Sequence, residues 1–385
     1  MKKKVMVLID SRAEYGVLKN ILWGIQKSEK LELYIVATGA QLSERYGYTV
    51  EEIKNDGFEI WTEIPICMDG MGERRVPVEM GKLMIHLSNA FAKEKPDVLL
   101  LLGDRYEMLA AASTAVAMHI LIAHISGGES TEGAMDEQIR HAITKMAHIH
   151  FPGASVYADN IRKMGEEAWR VFDVGDPGIE NIRNNKMIQR ADLEFELEVK
   201  IDKRTLLVTY HPVTLEIADL EWQLDNLIAV LCNYTGTIVI TYPNCDDGSD
   251  LIIRKWQEFA KTRESVCLIQ SLGSIRYLNV MKYCGAVVGN SSSAIIEAPF
   301  LKVPVVNIGN RQKGRIMADS IICCGYEQEE IKASIEKALS AEFNKIVQKS
   351  KSLYGEGDTS KNIVEVLENI EINEKLLKKK LYWDE

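Results

Sequence analysis

Several short clusters along the chain combine carboxylates, hydroxyls, cations and glycine in ways that suit anion binding and proton transfer. Gly289-Asn290-Ser291-Ser292-Ser293 has the make-up of a phosphate cradle. Its small residues let the backbone approach an anion, its hydroxyls donate, and a helix expected over Ala294 to Phe300 would present free N–H groups to the charge. Glu297, one turn past Ser293, is placed to accept two hydrogen bonds from a ribose diol. The plainer alternative is a serine-rich helix cap with an exposed glutamate, and spacing leaves both open. The Gly-Lys-Ser/Thr ending of a Walker A loop is absent. Gly103-Asp104-Arg105 sends an acid and a base out of an apolar run, whereas a solvated turn with an N-cap at Asp104 is the simple reading of that turn alone. From His124 to His141 titratable groups crowd one turn and one helix start. If Glu129, Glu132 and Asp136 face one another, at least one pKa rises toward a useful acid or base value; as plain helix-start acids, Glu132 and Glu137 need no such role. His211 precedes Pro212, which blocks a helix and leaves the imidazole at a strand end, facing an expected cleft. His148 and His150 share a strand face, but no carboxylate or thiol stands at a familiar ligand spacing, so no metal is expected.

These clusters need a scaffold that gathers strand ends. Short apolar runs alternate with helical stretches, the pattern of parallel βαβ units. Strands are expected at Val5 to Ile9, Leu33 to Ala37, Val98 to Leu102 and Leu121 to Ile125, with a buried helix over Tyr106 to Ala117. The rhythm restarts with Thr205 to Thr209, Ile238 to Tyr242, Val266 to Ile269, Ala286 to Val288 and Val303 to Ile308. The fold class is therefore α/β, two doubly wound Rossmann-like domains, with the polar clusters at carboxyl ends of strands where such sheets bind ligands. The Gly and Pro of Asp173 to Gly178 mark the boundary, giving domains 1–175 and 176–360, with a charged helical tail, 361–385, returning to the first.

Composition narrows the function. With 385 residues, 46 Lys+Arg and 56 Asp+Glu, the net charge of −10 argues against a general basic field for nucleic acid. No apolar run is long enough to span a bilayer, and the one after Met1-Lys2-Lys3-Lys4 stops at Asp10, too short for a signal peptide. A cytoplasmic protein is expected. Seven cysteines without a CxxC are a poor disulfide framework and are expected to be buried and reduced.

Taken in order, Asp10 to Gly16, Gly103 to Met108, His124 to Glu129, Asp136 to Lys145, His211 to Thr214 and Gly289 to Ser293 with Glu297 closely resemble the hydrolysing UDP-N-acetylglucosamine 2-epimerases, from about residue 5 to about residue 360. The resemblance implies the glycosyltransferase-B type of architecture, a UDP-sugar as substrate, no cofactor and no metal, and a homo-oligomer, dimer or tetramer, with no nucleic-acid or membrane partner. It implies that Ser11 and Arg12 contact the nucleotide, Arg105 the diphosphate, Ser291, Ser292 and Ser293 the phosphates, Glu297 the ribose and Arg311 the charged part of the substrate. Asp104, Glu129, Asp136 and His211 are the catalytic candidates. The implied reaction eliminates UDP to a 2-acetamidoglucal and adds water, giving UDP and N-acetylmannosamine for nonulosonic acid synthesis. Alternatives are the same reaction on UDP-2,4-diacetamido-2,4,6-trideoxy-glucose, on the legionaminic route, and a glycosyltransferase of the same architecture. The chain departs from the family pattern at Ser126, where some members carry an acid, and at Gln41, where histidine is commoner.

Overall fold

The computed structural model describes residues 2–44, 47–67, 74–131, 135–184, 186–243 and 248–382, apart from the side chains of Thr214 and Leu215. The chain divides into two compact units, Met1–Glu129 with Asp136–Asn181 and Tyr354–Glu385, and Ser130–Met135 with Ile182–Leu353.

The first unit is built on β1 (Lys3–Ile9), β2 (Leu31–Thr38), β3 (Ile60–Ile64), β4 (Val98–Leu102), β5 (Leu121–Ile125) and β6 (Ile149–Phe151). They form one parallel sheet in the order β3-β2-β1-β4-β5-β6. Alternate side chains of β1 go to opposite faces. Val5, Val7 and Ile9 enter one core with Leu18, Ile21 and Leu22 of the helix Arg12–Lys27, while Met6 and Leu8 enter another with Leu83 and Leu87 of the helix Arg75–Glu94 and Met108 of the helix Tyr106–Ala117. A strand covered on both faces reads as an unbroken apolar run, which is why β4 and β5 coincide with their expected bounds.

The second unit repeats the plan with β7 (Leu206–Thr209), β8 (Ile238–Thr241), β9 (Val266–Ile269), β10 (Ala286–Gly289), β11 (Val305–Ile308) and β12 (Ile321–Cys324). Its parallel order is β12-β11-β10-β7-β8-β9. Both units are thus Rossmann-like, the tandem make-up of the glycosyltransferase-B type. In each, the strand order reverses direction at one place, between β1 and β4 and between β7 and β10. Ligands of such sheets bind at that switch.

Three features depart from the sequence expectation. β3, β6 and β12 were not foreseen, because each lies at a sheet edge and is short or only partly covered. The charged tail is two helices, Thr359–Asn369 and Glu374–Leu377, with the side chain of Asn373 capping the second. Both lie in the first unit: Lys3 Nζ closes the first helix by donating to Leu367 O (2.6 Å) and Ile370 O (2.7 Å), and Arg170 donates to Leu376 O (2.7 Å) and Lys375 O (2.8 Å). The cysteines are not uniformly buried. Cys284 is, whereas Cys67, Cys232 and Cys323 are exposed, and Cys245 lies outside the described residues.

At the second switch Gly289 has φ +135, and a Cβ there would stand 2.0 Å from Thr209 O. Gly289→Ala must therefore displace β10 from β7. It is expected to cost about 3 kcal/mol or more of unfolding free energy, measured by denaturant titration; a loss under about 1 kcal/mol would contradict the close approach.

Candidate active site

In the first unit the clusters emerge from three neighbouring strands. Asp10 and Ser11 follow β1, Gly103-Asp104-Arg105 follows β4, and Ser126 to Glu129 follows β5. The turn after β4 is held from both sides. The Asp104 carboxylate accepts from Arg140 Nη2, and Arg140 Nη1 donates to Glu129 O (3.1 Å) and to Glu137 Oε2 (3.2 Å). Arg140 is 1% exposed, in the helix Met135–Met146. A buried guanidinium requires anionic and carbonyl partners, so its planar fork sets Asp104 and the Glu129 backbone in register with one another. His124, fully buried at the end of β5, adds a third tie, its Nε2–H donating to Gly103 O (2.8 Å). Burial pushes the His124 pKa down to about 4, so the ring is neutral at physiological pH. Arg140 was missed in the sequence reading. The signal available was its position four residues beyond Asp136, on the face one helical turn away.

On the other side of the turn, Arg105 Nε pairs with Asp10, and the guanidinium also reaches Glu107 (3.3 and 3.4 Å). Ser11 caps the helix Arg12–Lys27, its Oγ accepting from Glu14 N (3.4 Å). Arg12 is largely exposed and pairs with Glu52 Oε1 at 3.2 Å. Asp136 lies in the first turn of its helix, and Glu129 is buried. Glu132 lies outside the described residues.

In the second unit the switch is organised by a neutral residue, Asn290. Its Oδ1 accepts from His211 N (2.7 Å) and its Nδ2 donates to His211 O (2.8 Å), a two-way clamp across the ends of β7 and β10. The Asn290 carbonyl accepts from Arg311 Nη1 (3.0 Å) and Gln312 Nε2 (2.8 Å) on the turn after β11. His211 is buried, and burial followed by the nearby Arg311 charge drives its pKa well below the ordinary histidine value. A neutral imidazole can exchange a proton without carrying permanent charge. The helix expected from Ala294 starts at Ser292, with Ser291 as N-cap, so the three serines occupy the cap and first turn. No side-chain cap bond engages Ser291, and Ser293 Oγ donates to Glu297. Serine hydroxyls and backbone N–H groups at a helix start suit a phosphate.

Among the described residues no group of three or more His, Cys, Asp or Glu is arranged to hold a metal ion, and no helix is long and apolar enough to cross a membrane. His150 Nε2, from the pair considered for a metal, lies 3.2 Å from Glu166 Oε2 in a buried pair.

Residues 24–368 match the family described as UDP-N-acetylglucosamine 2-epimerase. The chain is 39% identical over 344 residues to a GDP/UDP-N,N'-diacetylbacillosamine 2-epimerase (hydrolyzing) of Campylobacter jejuni, covering 89% of each. It is 34% identical to a UDP-N,N'-diacetylbacillosamine 2-epimerase (hydrolyzing) of Legionella pneumophila, covering 98% of this chain and 99% of the relative. Its fold is similar to that in a crystal structure of the UDP-GlcNAc 2-epimerase of Methanocaldococcus jannaschii, at 20% identity, TM-score 0.78, covering 94% of this chain and 99% of the other.

Removing the Arg140 guanidinium leaves Asp104 without its ion-pair partner and frees the turn. Arg140→Met is expected to cost about 3 kcal/mol in denaturant unfolding and to slow turnover about 100-fold. Stability and turnover equal to those of the native chain would contradict the role of this residue.

Proposed function

The chain belongs to the UDP-N-acetylglucosamine 2-epimerase family, and from that premise we propose that it hydrolyses and inverts UDP-2,4-diacetamido-2,4,6-trideoxy-glucose, that is UDP-N,N'-diacetylbacillosamine, at C2. It is an enzyme of the hydrolysing UDP-sugar 2-epimerase kind. The sequence reading put UDP-N-acetylglucosamine first. What moves the proposal to the diacetamido sugar is a single observation: two relatives at 39% and 34% identity, matched over 89% and 98% of this chain, both carry that substrate in their names.

The chemistry follows from the acidity of C2–H. No carbonyl adjoins it, so the proton leaves only as the C1–O bond to UDP breaks and positive charge grows at C1. Groups that stabilise the departing diphosphate therefore lower the barrier most. In this reading Ser291, Ser292, Ser293 and the helix start bind phosphate, Glu297 takes the ribose diol, and neutral His211 supports the leaving oxygen. Ser11, Arg12, Arg105 and Arg311 supply the remaining polar contacts to the nucleotide and diphosphate. The C2 proton passes to a carboxylate, the electron pair forms the C1–C2 double bond of a 2-acetamidoglycal, and UDP departs. Water then adds its oxygen to C1 while C2 receives a proton on the opposite face, giving UDP and the C2-inverted diacetamido sugar. Inversion needs proton-transfer groups on both ring faces. Asp104 and Glu129 serve the transfers and Asp136 the other face or the water. Asp104, ion-paired with Arg140, suits the base.

UDP release measured with both sugars tests this directly. The kcat/KM for the diacetamido substrate is expected to exceed that for UDP-N-acetylglucosamine by about 10-fold or more, because a site that pairs the 4-acetamido group leaves polar groups unpaired with the 4-hydroxyl sugar. An equal or reversed preference would return the assignment to UDP-N-acetylglucosamine. Sugar transfer to an acceptor without free epimerised sugar would make the chain a glycosyltransferase.

A further inference from the structure

Next to Asp104 in the chain, two carboxyl groups pair with the Arg105 guanidinium and a third lies against one of them. Asp10 is fully buried at the end of β1, Glu107 is 1% exposed in the first turn of the helix Tyr106–Ala117, and Glu14 is buried one turn into the helix Arg12–Lys27. Arg105 pairs with Asp10 and with Glu107, and Asp10 N donates to Glu14 Oε2 (3.0 Å). The turn after β2 closes on the same group. Gly39 has φ +58, and a Cβ there would stand 3.0 Å from Asp10 O and 3.3 Å from Glu107 Oε1. From the helix Arg75–Glu94, fully buried Glu79 faces this region and accepts from Tyr106 Oη (2.6 Å).

Full ionisation of Asp10, Glu14 and Glu107 would leave two negative charges uncompensated beside one cation, nearly out of reach of water. Retaining protons costs less than burying unpaired carboxylates. Arg105 directly follows Asp104, so whatever fixes its guanidinium also fixes the turn that carries the proposed base.

We propose that Glu107 is a positioning residue for the reaction: carrying its proton, it joins Asp10 in holding the Arg105 guanidinium, and through it the turn that presents Asp104. This rests on the reading of Asp104 given above. Burial, then the neighbouring Asp10 charge, push the Glu107 pKa up to about 8, and the same two causes raise Glu14 well above the carboxylate range. Burial works against ionised Asp10, but the Arg105 charge and its hydrogen bonds outweigh it and hold its pKa low. Asp10 is therefore the carboxylate of the pair with Arg105, and Glu107 is its neutral companion. Above pH 8 Glu107 ionises, and the added charge pulls Arg105 away from Asp10.

The sign for stability follows. Because the folded-state pKa lies above the ordinary value of 4.5, the contribution of this proton is complete below pH 4.5 and is lost as pH rises through about 8.

The test measures kcat and KM of the native chain, Glu107→Gln and Glu107→Ala with the diacetamido substrate between about pH 6 and about pH 9.5. The carboxylic-acid infrared band of the native chain and of Glu107→Gln is followed over the same range. Native kcat is expected to fall above pH 8. Glu107→Gln, an isostere of the neutral acid, keeps kcat at neutral pH within about 3-fold and loses that alkaline limb, while Glu107→Ala lowers kcat by about 10- to 100-fold with KM within about 3-fold. The infrared band that titrates near pH 8 in the native chain is expected to be missing from Glu107→Gln. Equal damage from Gln and Ala, native kcat in Glu107→Ala, or an infrared band unaffected by Glu107→Gln would overturn the proposal. If Glu107→Ala fails to fold, the alkaline limb and the infrared band of Glu107→Gln still decide. A native chain that turns over no UDP-sugar would defeat the proposed function, and the infrared band would then decide the state of Glu107 by itself.

Discussion

A buried guanidinium must be surrounded by oxygen, and in the first unit that requirement arranges everything around it. Arg140 leaves the surface with a helix that packs against the sheet, and it takes as partners the Asp104 carboxylate, the Glu129 carbonyl and the Glu137 carboxylate. The ends of β4 and β5 cannot drift apart without unpairing a buried charge, a loss of several kcal/mol. The neutral ring of His124 adds a hydrogen bond to the Gly103 carbonyl at the root of the same turn. Charge compensation thus does for this turn what apolar packing does for the strands beneath it.

The second unit solves the equivalent problem without a central charge. Asn290 spans the ends of β7 and β10 with a neutral amide, and its carbonyl gathers Arg311 and Gln312. The difference suits the proposed chemistry. Proton transfer at a carbon of low acidity calls for carboxylates with defined ionisation, which strong pairing provides. A departing diphosphate calls for hydroxyls, backbone donors and a neutral imidazole near a cation. Gly289 makes the arrangement possible, because only a residue without a Cβ lets β10 pass so close to Thr209.

Much of this was legible in the sequence, for a physical reason. Strands covered on both faces are unbroken apolar runs, so β4 and β5 and the helix Tyr106–Ala117 matched their expected bounds, and polar clusters just beyond such runs fall on the ligand-binding edge of a doubly wound sheet. The edge strands β3 and β6 carry no such signature: β3 is Ile-Trp-Thr-Glu-Ile and largely half-buried, and β6 has three residues, whereas the edge strand β9 was legible from its apolar run alone. The pairings were not legible either. Arg140 and Asp104 lie 36 residues apart and Asn290 and His211 79 apart, and only the fold brings them together. The protonated companion of Arg105 is a further case, since nothing in the sequence around Glu107 sets it apart from an ordinary helix-start acid. Ser291 takes the N-cap, where serine is favoured, and the two serines after it belong to the first turn of the helix.

The central claim is that Asp104, held by the buried Arg140, removes the C2 proton as UDP departs, and that solvent returns one to the other face. Proton NMR of the reaction with UDP-2,4-diacetamido-2,4,6-trideoxy-glucose in D2O reads this at the reacting carbon. The account predicts UDP together with the C2-inverted sugar bearing deuterium at C2 in every product molecule. A released sugar that keeps its original C2 hydrogen would show that the C1–O bond breaks without proton transfer at C2, and would contradict the mechanism.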